Sequence, residues 1–342
     1  MVDQVPRHPR RRGELTRWVA GFVVGAVSIW VVMTVAGGLS GTVGELRHLE
    51  VAWLAAAFVV EVASYVVLGA KFRRLIGSDI LGPVESVELG LVLSGFGPLT
   101  PASPAEGLAL AASHLRRRGL TGRRITIVFA LSEWFSTRVF LTVSSINLLL
   151  VAAIERHSFG DLWPFVVAAV VVLVLLGLTA RMAATPSAYE RVSAIVGAFG
   201  RRSRRRSAAE RRAAAAAWFR EATEVVGSRR HRVSLVVLTA SALLADVACL
   251  WFALRSAHSD VGFDVALLAV TVAAASAFVP LVPGGLGIVE VAIPAVTHHF
   301  GVPYSQGIAA ALAYRALGTF IPAAAGAISI YALRARAGPR AT

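Results

Sequence analysis

Five ionisable residues stand well inside long apolar runs: Glu61, Glu133, Arg138, Asp246 and Arg315. Each costs about 2.5–3.5 kcal/mol at the centre of a membrane helix, so each needs a partner or a role. At a rise of about 1.5 Å per residue, Glu133 and Arg315 both lie roughly 13 Å inside their runs, near the middle of a hydrocarbon core about 30 Å thick. Opposite charges at matched depth suggest an ion pair, serving either to hold two helices in register or to meet a charged lipid head group. Hydrolytic and metal chemistry find no support. The chain has no H-E-x-x-H, no cysteine cluster, no P-loop and no G-x-S-x-G. His298-His299, the one adjacent histidine pair, reads as an ordinary outer loop. No catalytic residue, metal or cofactor is expected, and the chain is not read as an enzyme.

A second kind of chemistry lies in two Pro- and Gly-rich breaks. The first is Phe96-Gly97-Pro98-Leu99-Thr100-Pro101-Ala102-Ser103-Pro104, the second Phe278-Val279-Pro280-Leu281-Val282-Pro283-Gly284-Gly285. Proline removes an N–H donor and disrupts a helix. Gly284, Gly285 and Gly287 permit tight turns and close backbone approach. Exposed N–H groups at the start of a half-helix form an anion site, which suits a phosphate head group. Glu106 and Glu290 follow the breaks. A carboxylate near a helix start gains from the helix dipole, so these two act as caps or as ligand contacts.

The elements that must carry these groups are membrane helices. Of 342 residues, 56% are hydrophobic and 16% charged, whereas a soluble chain carries about a quarter charged. Runs long enough to span are Trp18–Leu39, Val51–Leu68, Ile125–Ile154, Leu162–Ala180, Val233–Leu254 and Gln306–Leu333. The first follows Arg10-Arg11-Arg12 and reads as an uncleaved anchor. The net charge of +14 comes from arginines gathered between the runs. That is the pattern of cytoplasmic loops rather than of a nucleic-acid binder. The single lysine, Lys71, is read as a matter of genome composition, and the only cysteine, Cys249, excludes an intrachain disulfide.

Placing the Arg-rich segments inside puts both termini in the cytoplasm. Val84–His114 must then enter from and return to the inner face, and Val265–Thr297 the outer face. Each half is too short to span, so both read as re-entrant hairpins lining protein or a cavity. The breaks share F-x-P-L-x-P at a spacing of 182 residues, which also pairs Gly119 with Gly301, Thr137 with Thr319 and Glu133 with Arg315. The two copies, about 51–154 and 233–333, would be inverted, and paired interrupted segments of this kind point to a transporter's substrate site.

Pro283-Gly284-Gly285-Leu286-Gly287-Ile288-Val289-Glu290, followed by Tyr314-Arg315, resembles the hallmark of the lysylphosphatidylglycerol synthase transmembrane-region family of flippase-like membrane proteins. The resemblance runs from about Trp18 to Leu333. The family commonly shows Gly-Glu after the first proline turn and E-R-x-x-D in the next helix. Here Ala105-Glu106-Gly107 and Glu133-Trp134-Phe135-Ser136-Thr137 stand instead. The resemblance implies the lipid-flipping half of proteins whose separate soluble domain makes the lipid; a chain ending nine residues after Leu333 would lack that domain.

The expectation is an all-α integral membrane protein with about six transmembrane helices and two re-entrant hairpins in inverted repeats. Residues 1–16 form a basic cytoplasmic segment, 17–333 the membrane domain with a basic linker at 181–232, and 334–342 a cytoplasmic tail. Arg201–Arg206 and an Ala-rich helix over Ser207–Val226, carrying Trp218 and Phe219, either rest on anionic inner-leaflet lipid or merely fix topology. The expected activity is translocation of a phospholipid or glycolipid across the plasma membrane by alternating access. The substrate-contacting set is Pro98, Pro101, Glu106, Glu133, Pro280, Pro283, Gly284, Gly285, Gly287, Glu290, Tyr314 and Arg315. A separate lipid-modifying enzyme is the expected protein partner, with no nucleic acid. The alternatives are a membrane-embedded enzyme on lipid-linked substrates and a non-transporting subunit of a lipid or glycan assembly complex.

Overall fold

A computed structural model describes residues 39–96, 104–154, 167–178, 208–277 and 287–336, all of them helical or in short turns. In chain order the helices are α1 (Leu39–Arg47), α2 (Val51–Ile76), α3 (Pro83–Gly90, continued by a π-helical turn, Leu91–Phe96), α4 (Pro104–Arg117) and α5 (Gly122–Ile154). Then come α6 (Val167–Leu178), α7 (Ala208–Val226), α8 (Arg229–Ser256), α9 (Phe263–Ala277), α10 (Val289–His299) and α11 (Tyr304–Arg315). A second π-helical turn, Ala316–Phe320, joins α11 to α12 (Ile321–Arg336).

Four described helical stretches are long and apolar enough to cross a bilayer: Val51–Ile76, Gly122–Ile154, Arg229–Ser256 and Tyr304–Leu333. Each exceeds the roughly 20 residues a span needs. Their outward faces are apolar, as lipid requires: Val59, Val62 and Val66 on α2, Ile146 and Leu149 on α5, Val233 and Val237 on α8. The expected span Trp18–Leu39 lies outside the described residues up to Gly38, and only Val167–Leu178 of the expected span Leu162–Ala180 is described. Three helices begin before their apolar runs. α8 takes in Arg229–Arg232, which the sequence reading assigned to the linker. Between the expected spans that end at Leu39 and begin at Val51, the chain forms the helix α1, Leu39–Arg47.

The described contacts divide the chain into two units. One comprises the described residues of Met1–Ala63, Glu88–Ser113 and Ala245–Thr342; the other those of Ser64–Val87 and His114–Leu244. In the first, the π turn after α3 packs on α12, α9 on α10, α10 on α11 and α11 on α1. The α10–α11 contact is close because Gly307 has no side chain. A Cβ there would stand 2.9 Å from Thr297 Oγ1 and 3.1 Å from Pro294 Cα. In the second unit, Glu85 accepts from His114 Nε2 at 2.6 Å and from Arg118 Nε at 2.9 Å, tying α3 to the end of α4. There too α7 packs on α5, through an Arg123–Glu221 ion pair and an Arg123 bond to the Ala217 carbonyl at 3.3 Å.

Element ends recur 182 residues apart. The helical stretch Gly122–Ile154 answers that from Tyr304 to Arg336, and α4 and α10 end at Arg117 and His299. Gly119 and Gly301 both adopt left-handed backbone, φ 89° and 87°. Each closes its helix with the same hydrogen bond, Leu120 N–H to Leu115 O and Val302 N–H to Thr297 O, both 3.1 Å. Such caps need glycine because a Cβ is disfavoured at positive φ.

Gly95, in the first π turn, faces Pro322: an added Cβ would lie 2.6 Å from the Pro322 carbonyl oxygen. A backbone atom cannot swing aside, so Gly95→Ala should destabilise the protein by about 1–3 kcal/mol. Gly44→Ala on α1, with nothing within 4 Å of the new Cβ, should not. Thermal unfolding of the purified variants in detergent checks this; equal midpoints for wild type and Gly95→Ala would contradict the contact.

Candidate functional site

Glu290 lies in the first turn of α10, only 3% exposed. Its Oε2 accepts the Gly287 backbone N–H at 2.8 Å. Gly287 takes φ 85°, which lets the chain turn into the helix with that N–H aimed at the carboxylate. Its Oε1 accepts from Arg315 Nε at 3.1 Å. Arg315 ends α11 and also donates from Nη1 to Thr319 Oγ1 at 3.1 Å. The side chains of Arg315 and Glu290 are 9% and 3% exposed, so the pair is dry as well as deep. It sits about 16 Å along the helix from Tyr304, at the 1.5 Å rise.

The carboxylate that meets Arg315 is therefore Glu290, rather than the Glu133 expected from the repeat. The physical reason is proximity: α10 and α11 are joined by the tight turn at Gly301, which sets their facing residues side by side. Glu133, in the other unit, faces outward from α5, within electrostatic reach of Lys71. Lys71 is 3% exposed and donates to Ser136 Oγ at 3.0 Å, so the lone lysine is a buried structural cation. Arg138 donates from Nη2 to the Leu176 carbonyl at 3.1 Å and lies 4.8 Å from the centre of the Trp134 ring.

Tyr314 does not turn toward Glu290. Its hydroxyl donates to Asp246 Oδ1 at 3.0 Å. Glu61 belongs to the same unit, buried at 4% exposure and facing Asp246 and the Cys249 thiol. The sequence marked Glu61 and Asp246 as costly but left them out of the site. The signal that could have found them was the cost itself, since two acids in two spans are cheapest when they share surroundings. Glu106 lies on α4. Pro98, Pro101, Pro280, Pro283, Gly284 and Gly285 lie outside the described residues.

Long apolar helices carrying buried charge define a multi-pass membrane protein. The chain belongs to the lysylphosphatidylglycerol synthase TM region family, which it matches over residues 18–326. Comparison with curated proteins finds no match.

Removing Arg315 strands a buried carboxylate, a loss of about 3–5 kcal/mol where one partner of such a pair is deleted. Arg315→Ala should thus lower the thermal midpoint markedly. Arg315→Met combined with Glu290→Met should recover most of it, because a neutral, volume-filled pair leaves no charge behind. An Arg315→Ala protein that melts with the wild type would show that the pair does not support the fold.

Proposed function

We propose that the protein translocates a phospholipid or glycolipid across the plasma membrane by alternating access, with the head group handled at Arg315 and the start of α10. The observation that carries this is the dry Arg315–Glu290–Gly287 arrangement beside a Pro-Gly break. Arginine pairs with phosphate as readily as with carboxylate. An arriving phosphate can therefore replace Glu290 at the guanidinium, and the Gly287 N–H that Glu290 releases becomes a further donor for the anion. Arg315 would thus be satisfied both with and without bound lipid, and the displaced Glu290 would take up a proton rather than stay buried as an unpaired carboxylate.

In this reading the chain has about six spans and two re-entrant hairpins, with both termini cytoplasmic. The breaks at Pro98–Pro101 and Pro280–Pro283 form the hairpin tips, and Glu106 and Glu133 serve the first copy as Glu290 and Arg315 serve the second. The recurrence of helix ends and glycine caps at a spacing of 182 residues supports two copies, and the Arg-rich loops support their inversion. The membrane domain spans 17–333, between a basic segment at 1–16 and a tail at 334–342. The basic linker at 181–232 rests on anionic inner-leaflet lipid, and a separate enzyme supplies the modified lipid. Family membership supports a lipid-associated role.

Proteoliposomes containing the purified protein and labelled phospholipids of several head groups test this. Accelerated translocation is expected, dependent on head group and reduced at least tenfold (about 1.4 kcal/mol) by Arg315→Lys, which keeps the charge but loses the planar fork. Folded protein that accelerates no lipid would sink the reading.

A further inference from the structure

We propose that Glu61 and Asp246 form a proton-binding site within the membrane, holding one exchangeable proton whose loading and release drive lipid transport. The proton site stands on its own geometry; its link to transport rests on the translocase reading.

Both acids belong to one unit, Glu61 on α2 and Asp246 on α8. Glu61 is 4% exposed, and its Oε2 has no hydrogen-bond partner among the described residues. The titratable groups facing it are Asp246 and Cys249, both from α8, and Tyr314, from α11. None is a cation, and no ion pair among the described residues involves either acid. Arg315, the chain neighbour of Tyr314, is bound to Glu290 and Thr319. Two carboxylates that share apolar surroundings without a counter-ion do not both ionise; one proton between them removes the repulsion.

Two features suit this place to exchange rather than to permanent storage. Asp246 keeps one oxygen hydrogen-bonded to the Tyr314 hydroxyl at 3.0 Å, so it can carry charge when the proton leaves. Gly318, in the π turn after Arg315, adjoins Glu61. A Cβ there would lie 3.6 Å from both Glu61 Oε1 and Tyr314 Cε2. π-Helical turns inside α-helices are frequent at functional sites. Tyr314 and Arg315 are chain neighbours, so the acid pair and the Arg315–Glu290 pair hang from one turn of one helix. A change of charge at Asp246 is thereby felt where the head group would bind. A metal ion is a poorer occupant, since no group of three or more candidate ligands occurs among the described residues.

Infrared difference spectroscopy of the full chain in vesicles, titrated from acid to alkaline buffer without added lipid substrate, reads the proton directly. A protonated-carboxyl band that disappears at alkaline pH is expected, and Glu61→Gln and Asp246→Asn should each remove it. Either isosteric variant, once shown folded by its thermal transition, decides the matter. A wild type with no such band, or a band untouched by a folded variant, overturns the site; so does a band displaced by sodium at constant pH. The second arm imposes a proton gradient on proteoliposomes. Lipid translocation should accelerate severalfold in the wild type and stay at its no-gradient rate in Glu61→Gln. Wild-type translocation indifferent to the gradient overturns the coupling alone. No translocation under any condition sinks the translocase reading, while the spectrum still decides the proton site.

Discussion

Hydrocarbon offers a buried charge nothing to bind, so every ionised group at membrane depth must find its match within the protein. Arg315 meets this requirement through Glu290, and Glu290 in turn is held by a backbone N–H freed where α10 begins. The chain from Gly287 to Thr319 is organised around that need. A tight turn at Gly301 folds α11 back along α10, and a missing side chain at Gly307 lets the two helices approach until Glu290 and Arg315 touch. Lys71 follows the same rule with Ser136, and Arg138 with a carbonyl and an indole face.

Four of the six expected spans were legible because hydropathy over about 20 residues is a strong signal. Their ends were not. The opening turn of α8, Arg229–Arg232, is helical but charged, and a hydropathy window stops short of it. α1 was missed because nine residues containing Gly41 and Gly44 carry no long apolar run. The Pro-rich segments after Phe96 and from Phe278 lie outside the described residues.

The site was half legible. Rarity alone singles out Arg315, and the glycines before Glu290 single out a helix start. The partnership between them was assigned to the wrong carboxylate, because matching positions across a repeat says where residues recur, not which ones touch. The pairing of Glu61 with Asp246 was hidden for a different reason. Those residues lie far apart in sequence, and only the packing of α2 with α8 brings them to a common surrounding.

The π turns add a subtler consequence. A turn closed by i→i+5 bonds holds one residue more than its α-helical counterpart. The stretch from Tyr304 has such a turn at Ala316–Phe320, whereas the stretch from Gly122 is α-helical throughout, although both run to the same length. Up to Arg315 the two keep step. Beyond Phe320 they fall out of phase by about one residue, or roughly 100° around the axis at 3.6 residues per turn. Residues that share a number modulo the repeat then look in different directions. Two helical stretches can thus share their ends and their glycine caps and still present unlike faces beyond the π turn.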